Sequence, residues 1–230
     1  MRVGTGELIE LSLENGMTGG RLLCPQDLIP APGQYLLAHD PASDAPLPAP
    51  IFNAGFAPGG FLLAPPIPAD WRPGATLSLR GPLGHGFNLP PSARRLALVA
   101  VNGNPHRLLA LLAPALAQGA DVTLLTESIL DNLPADVEAQ PLAGLSDAVG
   151  WADFLAIDVM RESLLGLWKM LGFGEQAKVP LDAQALVVAP MPCGGLAECG
   201  VCAVAVRRGW KMACKDGPVF NLNEIRMGKV

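Results

Sequence analysis

The sequence predicts an α+β protein in three parts. An N-terminal antiparallel β-barrel is expected over residues 1–91, a central Rossmann-like α/β parallel-sheet domain over 92–190, and a small C-terminal unit over 191–230. Three observations carry this reading. Short apolar runs broken by Pro- and Gly-rich turns fill the first part, the pattern of a small barrel or sandwich. After Pro90-Pro91 come strand-length apolar runs alternating with helical stretches, which read as βαβ units and a parallel sheet. Four of the five cysteines then fall at 193, 199, 202 and 214.

Glu7–Leu13, Gln34–His39, Phe61–Ala64 and Thr76–Arg80 are the strands expected in the first part, with PAPG, DPASDAPLPAP and APGG as turns around them. Arg95–Val101 is an apolar strand, and Asn102-Gly103-Asn104-Pro105 is the turn after it. Asn104 is a candidate helix cap, with Pro105 at the first position, where its missing N–H does no harm. The helix is expected over Arg107–Ala117. Further strands are expected at Asp121–Leu125, Phe154–Ile157 and Ala185–Ala189, with a helix from Met160 to Leu171.

Composition narrows the function classes. Half of the 230 residues are hydrophobic and 16% are charged, which excludes disorder as the dominant state. A net charge of −5 argues against whole-surface nucleic-acid binding. The longest apolar run, Leu108–Ala117, contains Pro114 and is too short to span a bilayer. The opening MRVGTGELIEL lacks an apolar h-region, so no signal peptide is expected and the expected address is cytoplasmic. His39, His85 and His106 lie far apart without an evident partner, and no P-loop or nucleophile-elbow motif is present.

The cysteines carry the chemistry. In a reducing compartment such a cluster reads as a metal or iron–sulfur site before it reads as disulfides. Cys193-x5-Cys199-x2-Cys202 with Cys214 farther along is the arrangement that holds a plant-type [2Fe–2S] cluster, whose usual close spacing is x4 then x2. Structural zinc also takes four thiolates, usually from two CxxC knuckles, and only one CxxC is present; a metal-free role is the third alternative. Ala203–Val206, Arg207-Arg208-Gly209 and Trp210–Met212 read as a hairpin that returns Cys214 to Cys202. Cys24 reads as an apolar packing residue. From Cys193 to Val230 six basic and three acidic residues give +3, against −8 for the rest of the chain. Cations beside an anionic cluster lower its electrostatic cost, and a solvated basic surface gives the same count.

The segment Met191-Pro192-Cys193-Gly194-Gly195 … Cys199-Gly200-Val201-Cys202 … Cys214-Lys215-Asp216-Gly217-Pro218-Val219-Phe220 resembles the electron-transfer subunit of the two-subunit dihydroorotate dehydrogenases, a branch of the ferredoxin–NAD(P) reductase superfamily. Pro32-Gly33-Gln34-Tyr35 resembles that family's PGQF strand, and Gly81–Phe87 its GPLGxGF turn. The resemblance implies FAD between barrel and nucleotide-binding domain, reduction by NADH, relay of single electrons through the cluster to a flavoprotein catalytic subunit in a hetero-oligomer, and a place in pyrimidine biosynthesis.

Departures from the family qualify that picture. Its flavin-binding Arg-Pro-x-Ser run corresponds to Ala49-Pro50-Ile51-Phe52, without the Arg or the Ser. Its Gly-Thr segment before the GPLG turn is missing between Phe61–Ile67 and Asp70-Trp71. The Gly-rich turn is reduced to Val101-Asn102-Gly103-Asn104, and the late Cys-Gly-Pro motif stands as Ala156-Ile157-Asp158. Gly81–Gly84 reads either as a structural turn or as a phosphate contact. The expectation is therefore an electron-transfer subunit with a [2Fe–2S] cluster on Cys193, Cys199, Cys202 and Cys214, little or no FAD, and no tight NAD(H) or NADP(H) binding. The alternatives are a structural or assembly subunit that keeps the reductase fold, or a still-active FAD-dependent NADH reductase.

Overall fold

The computed structural model describes residues 1–230 except 15, 103, 131, 174–177 and 227–230. Gly103 and Lys229, which entered the turn and charge readings, lie outside the described residues.

Six antiparallel strands close into a barrel in the order β1-β2-β5-β4-β3-β6: β1 (Arg2–Glu14), β2 (Met17–Leu23), β3 (Tyr35–His39), β4 (Ala49–Ala57), β5 (Gly60–Leu63) and β6 (Thr76–Leu83). Leu8, Leu22, Leu36, Phe61, Leu77 and Leu79 fill its interior. Closure leaves no unpaired sheet edge. Two strands escaped the sequence reading. In β2, a Cβ at Gly20 would lie 2.6 Å from the Glu10 carbonyl oxygen, so the strand needs a glycine where β-propensity disfavours one. β4 begins inside a Pro-rich stretch read as a turn; Pro50 stands opposite Leu37, second in the strand, near the strand start where proline is tolerated.

The second unit is a six-stranded sheet in the order β14-β11-β10-β7-β8-β9. In chain order its strands are β7 (Arg95–Ala100), β8 (Asp121–Leu125), β9 (Val137–Gln140), β10 (Phe154–Met160) and β11 (Asp182–Val188), followed by β12 (Ala203–Val206) and β13 (Gly209–Met212) of a separate hairpin, and then β14 (Val219–Asn221). All sheet pairings are parallel except β11–β14. Leu96, Leu98, Phe154 and Ala156 pack on one face, and Ala97, Val99, Leu155 and Ile157 on the other. Burial on both faces is why these strands read as continuous apolar runs. The C-terminal segment is not a detached lobe, since β14 extends the central sheet.

Among the described residues, four short helices cover the sheet: α1 (His106–Leu109), α2 (Leu112–Ala117), α3 (Leu145–Trp151) and α4 (Leu164–Met170). The single helix expected over 107–117 is thus two. Pro114 lacks the N–H that a continuous helix would donate to the Ala110 carbonyl, and it is accommodated only because α2 restarts just before it. The helix expected from Met160 is shortened, because Met160 ends β10 and a 3-10 turn over Arg161–Ser163 precedes α4. Pro105, rather than Asn104, is the N-cap of α1; Asn104 lies one residue earlier, its Oδ1 accepting from the His106 N–H at 3.2 Å. No helix among the described residues is long and apolar enough to cross a membrane.

Candidate metal centre

The four clustered cysteines come together at the junction of barrel, sheet and hairpin. Pairing of Ala203 with Met212 and Val206 with Gly209 sets the hairpin register. The Ala213 N–H then donates to the Cys202 carbonyl at 3.1 Å. This places Cys214 beside Cys202, as the sequence implied, and both are buried. Cys193 is half-buried and Cys199 exposed. The thiols lie near one another in two pairs, Cys193 by Cys199 and Cys202 by Cys214. No three His, Cys, Asp or Glu side chains among the described residues form a single-ion site.

The loop between Cys193 and Cys202 turns its amides toward sulfur. Gly194, Gly195 and Gly200 have φ of 61°, 81° and 70°, and Ala197, the lone non-glycine described with positive φ, has 63°. Burial raises the Cys193 thiol, but the Cys199 thiol and the backbone N–H groups of Ala197, Glu198 and Leu196 outweigh it and bring it down to about 6. Burial pushes Cys214 up to about 12, helped by the neighbouring Cys202 and opposed by the Ala197 N–H. Ala197 thus serves both pairs. A concavity of backbone N–H groups is a general anion site, and a cluster with thiolate ligands is such an anion. Glycine adopts this left-handed conformation readily, whereas Ala197 carries no sequence signal for it.

The barrel supplies the floor of the site. Tyr35 on β3 is fully buried, and its hydroxyl donates to the Cys214 carbonyl at 2.8 Å. Burial and then the cysteine charges hold Tyr35 well above its ordinary range, so it stays a donor. Arg80 on β6 donates to the Gly194 carbonyl, which sets a cation beside the thiols. The Gly81–Phe87 turn uses its backbone structurally. His85 N–H donates to the Gly217 carbonyl at 2.5 Å and Phe87 N–H to the Pro32 carbonyl at 2.8 Å. A Cβ at Gly84 would come within 2.4 Å of the Gly217 oxygen. These contacts dock the Lys215–Phe220 segment onto the barrel and favour the structural reading of the turn. Tyr35→Phe is expected to destabilise the protein by about 1–3 kcal/mol, since it orphans the buried Cys214 carbonyl. Thermal unfolding checks this, at roughly 2–4 °C per kcal/mol for a chain this size. An unchanged midpoint would show that the hydroxyl is not engaged.

Residues 190–226 match the iron–sulfur cluster binding domain of dihydroorotate dehydrogenase B. The cluster-binding segment sits on a reductase fold. The chain is similar to an NADH-dependent reduced ferredoxin-NADP oxidoreductase studied for flavin-based electron bifurcation, with a TM-score of 0.71, 15% identity, and coverage of 96% of this chain and 89% of that one. Phthalate dioxygenase reductase, described as a modular structure for electron transfer from pyridine nucleotides to [2Fe–2S], aligns at 0.54 and 12% identity over 93% of this chain and 77% of that one. A ferredoxin NADP+ reductase from Neisseria gonorrhoeae, with bound FAD and NADP, aligns at 0.55 and 12% identity over 81% and 99%. No curated protein sequence matches the chain. The chain thus joins a segment similar to the dihydroorotate dehydrogenase B cluster-binding domain to a fold shared with ferredoxin reductases. They support iron–sulfur binding and a role in electron transfer.

Proposed function

We propose that the chain is an accessory electron-transfer subunit that carries a [2Fe–2S] cluster and relays single electrons to or from a partner flavoprotein oxidoreductase. The observation that carries this is the convergence of Cys193, Cys199, Cys202 and Cys214 as two thiol pairs within a cradle of backbone N–H groups. The residues fit the group. Four thiolates are the ligand set of such a cluster, the amides of the 194–198 loop and Arg80 offset its negative charge, and a cluster supplies one-electron redox chemistry when bound. Cys202 and Cys214 would anchor it from the interior. Cys193 and Cys199 would hold its outward side, where Leu196 and Val201 are exposed, giving a partner an apolar rim close to the metal.

In this reading the partner holds the substrate site, as in the dihydroorotate dehydrogenase family. Anaerobically purified protein is expected to contain about two irons per chain and to show an electron paramagnetic resonance signal after reduction with dithionite. Purification from the native host is expected to recover a flavoprotein in stoichiometric amount. Zinc in place of iron, or this chain recovered alone and active toward a small substrate, would overturn the reading.

A further inference from the structure

In an open parallel sheet, ligands enter the crevice beyond the carboxyl ends of the strands where the strand order reverses. Here the chain runs from β7 outward to β8 and β9, then returns to β10 on the other side of β7. The crevice therefore lies beyond Ala100 and Asp158, which stand opposite each other. It is also the face that meets the barrel, and the fold's FAD-bearing relatives make flavin the group to test there.

The crevice is filled by the chain itself. Arg107 of α1 makes a bidentate ion pair with Asp158, Nε to Oδ2 at 2.6 Å and a terminal N–H to Oδ1 at 2.9 Å. Their side chains are 8% and 1% exposed. The Arg107 guanidinium lies 5.9 Å from the ring centroid of Phe52, reaching from barrel strand β4. Asn102 bridges the two strand ends, accepting from the Met160 N–H at 2.8 Å and donating to Ser163 at 2.9 Å. Asn104 donates across to the barrel, to the Pro65 carbonyl at 2.5 Å. The side chains of Arg107, Asp158, Asn102 and Asn104 thus each have an internal partner.

Beside the crevice, between barrel strands β1, β2, β4 and β5 and the segments around α1 and Leu133, lies a cavity of about 240 Å³. Its walls include Leu62, Leu63, Leu109 and Leu133 with Glu10, and no lysine or arginine is among its described lining residues. Pockets for drug-sized molecules run to about 300–1,000 Å³, and FAD is larger and carries a pyrophosphate. The residues do not fit a flavin dinucleotide.

We infer that Arg107, held by Asp158 and capped by Phe52, closes the interdomain crevice permanently, so that this subunit carries no flavin and passes electrons only singly. The second half rests on the cluster reading above. Without a group in this chain that takes two electrons, hydride from a nicotinamide has no acceptor here. Each electron would come from a one-electron donor outside the chain, and a bound cluster would take it up as reduction of one ferric iron to ferrous, with no bond formed or broken.

The test uses protein expressed with excess riboflavin and purified anaerobically. Heat-released flavin is expected at trace level, and FAD titration is expected to give no saturable quenching of flavin fluorescence. NADH alone is expected to leave the visible cluster spectrum unchanged, while dithionite bleaches it. One FAD per chain, or bleaching by NADH without an added flavoprotein, overturns the inference. Iron analysis of the same sample reads the cluster independently, so closure and cluster are judged apart.

Discussion

Replacing Cys202 by serine is expected to abolish the cluster, taking iron from about two per chain to near zero and removing the visible absorption. Cys202 is 1% exposed and paired with Cys214. A serine there offers a hydroxyl that must lose its proton in a dry site to replace a thiolate, and burial disfavours the charged form. The neighbouring backbone cannot move to compensate, because the Cys202 carbonyl is bound by the Ala213 N–H within the hairpin. Cys24→Ser is the control and is expected to retain full iron. Cys24 packs against the barrel interior, and its thiol is pushed up to about 11 by burial and by Asp27. It is a packing residue, as its apolar neighbours in the sequence suggest. Iron and sulfide analysis of both variants decides the matter. Full iron in Cys202→Ser would remove this cysteine from the ligand set.

How much was legible follows from where the determining contacts lie. The cysteines could be read because three of them sit within one loop, and the hairpin that returns the fourth is built from adjacent residues. The parallel strands could be read because burial on both faces leaves unbroken apolar runs over 96–100 and over 154–157, ahead of the buried Asp158. Edge and irregular elements were hidden. β9 has exposed positions, β14 has three residues, and β4 starts on a proline-bearing stretch. The long-range side-chain pairs were invisible. Tyr35 and Cys214 are 179 positions apart, and Arg107 and Asp158 are 51 apart. The motif losses argued against flavin; the Arg107–Asp158 pair at the switch point is a contact that no motif announces. Phe52, at the position of the family's flavin-binding serine, is turned to the Arg107 guanidinium instead.

The Arg107–Asp158 pair is expected to behave as a unit under mutation, with single changes costly and the double change mild. Removing either partner leaves an uncompensated buried charge, a loss of about 3–5 kcal/mol. Arg107→Leu is expected at the upper end, because it strands the nearly inaccessible Asp158 carboxylate and also gives up the cation–π contact with Phe52, worth about 0.5–2 kcal/mol. Asp158→Leu strands Arg107, whose guanidinium still faces the Phe52 ring, so its cost is expected to be lower. The double variant Arg107→Leu/Asp158→Leu removes both desolvated charges and puts apolar groups into a site already bordered by Leu108 and Ala156. Replacing a buried pair with well-packed apolar residues is often neutral or stabilising. Urea unfolding of the four proteins closes the cycle. A double variant destabilised by the sum of the singles would show that the two side chains act independently, and it would remove the ion pair as the closure of the crevice. A double variant near wild type, still free of flavin, would show that the closure rests on shape as much as on charge.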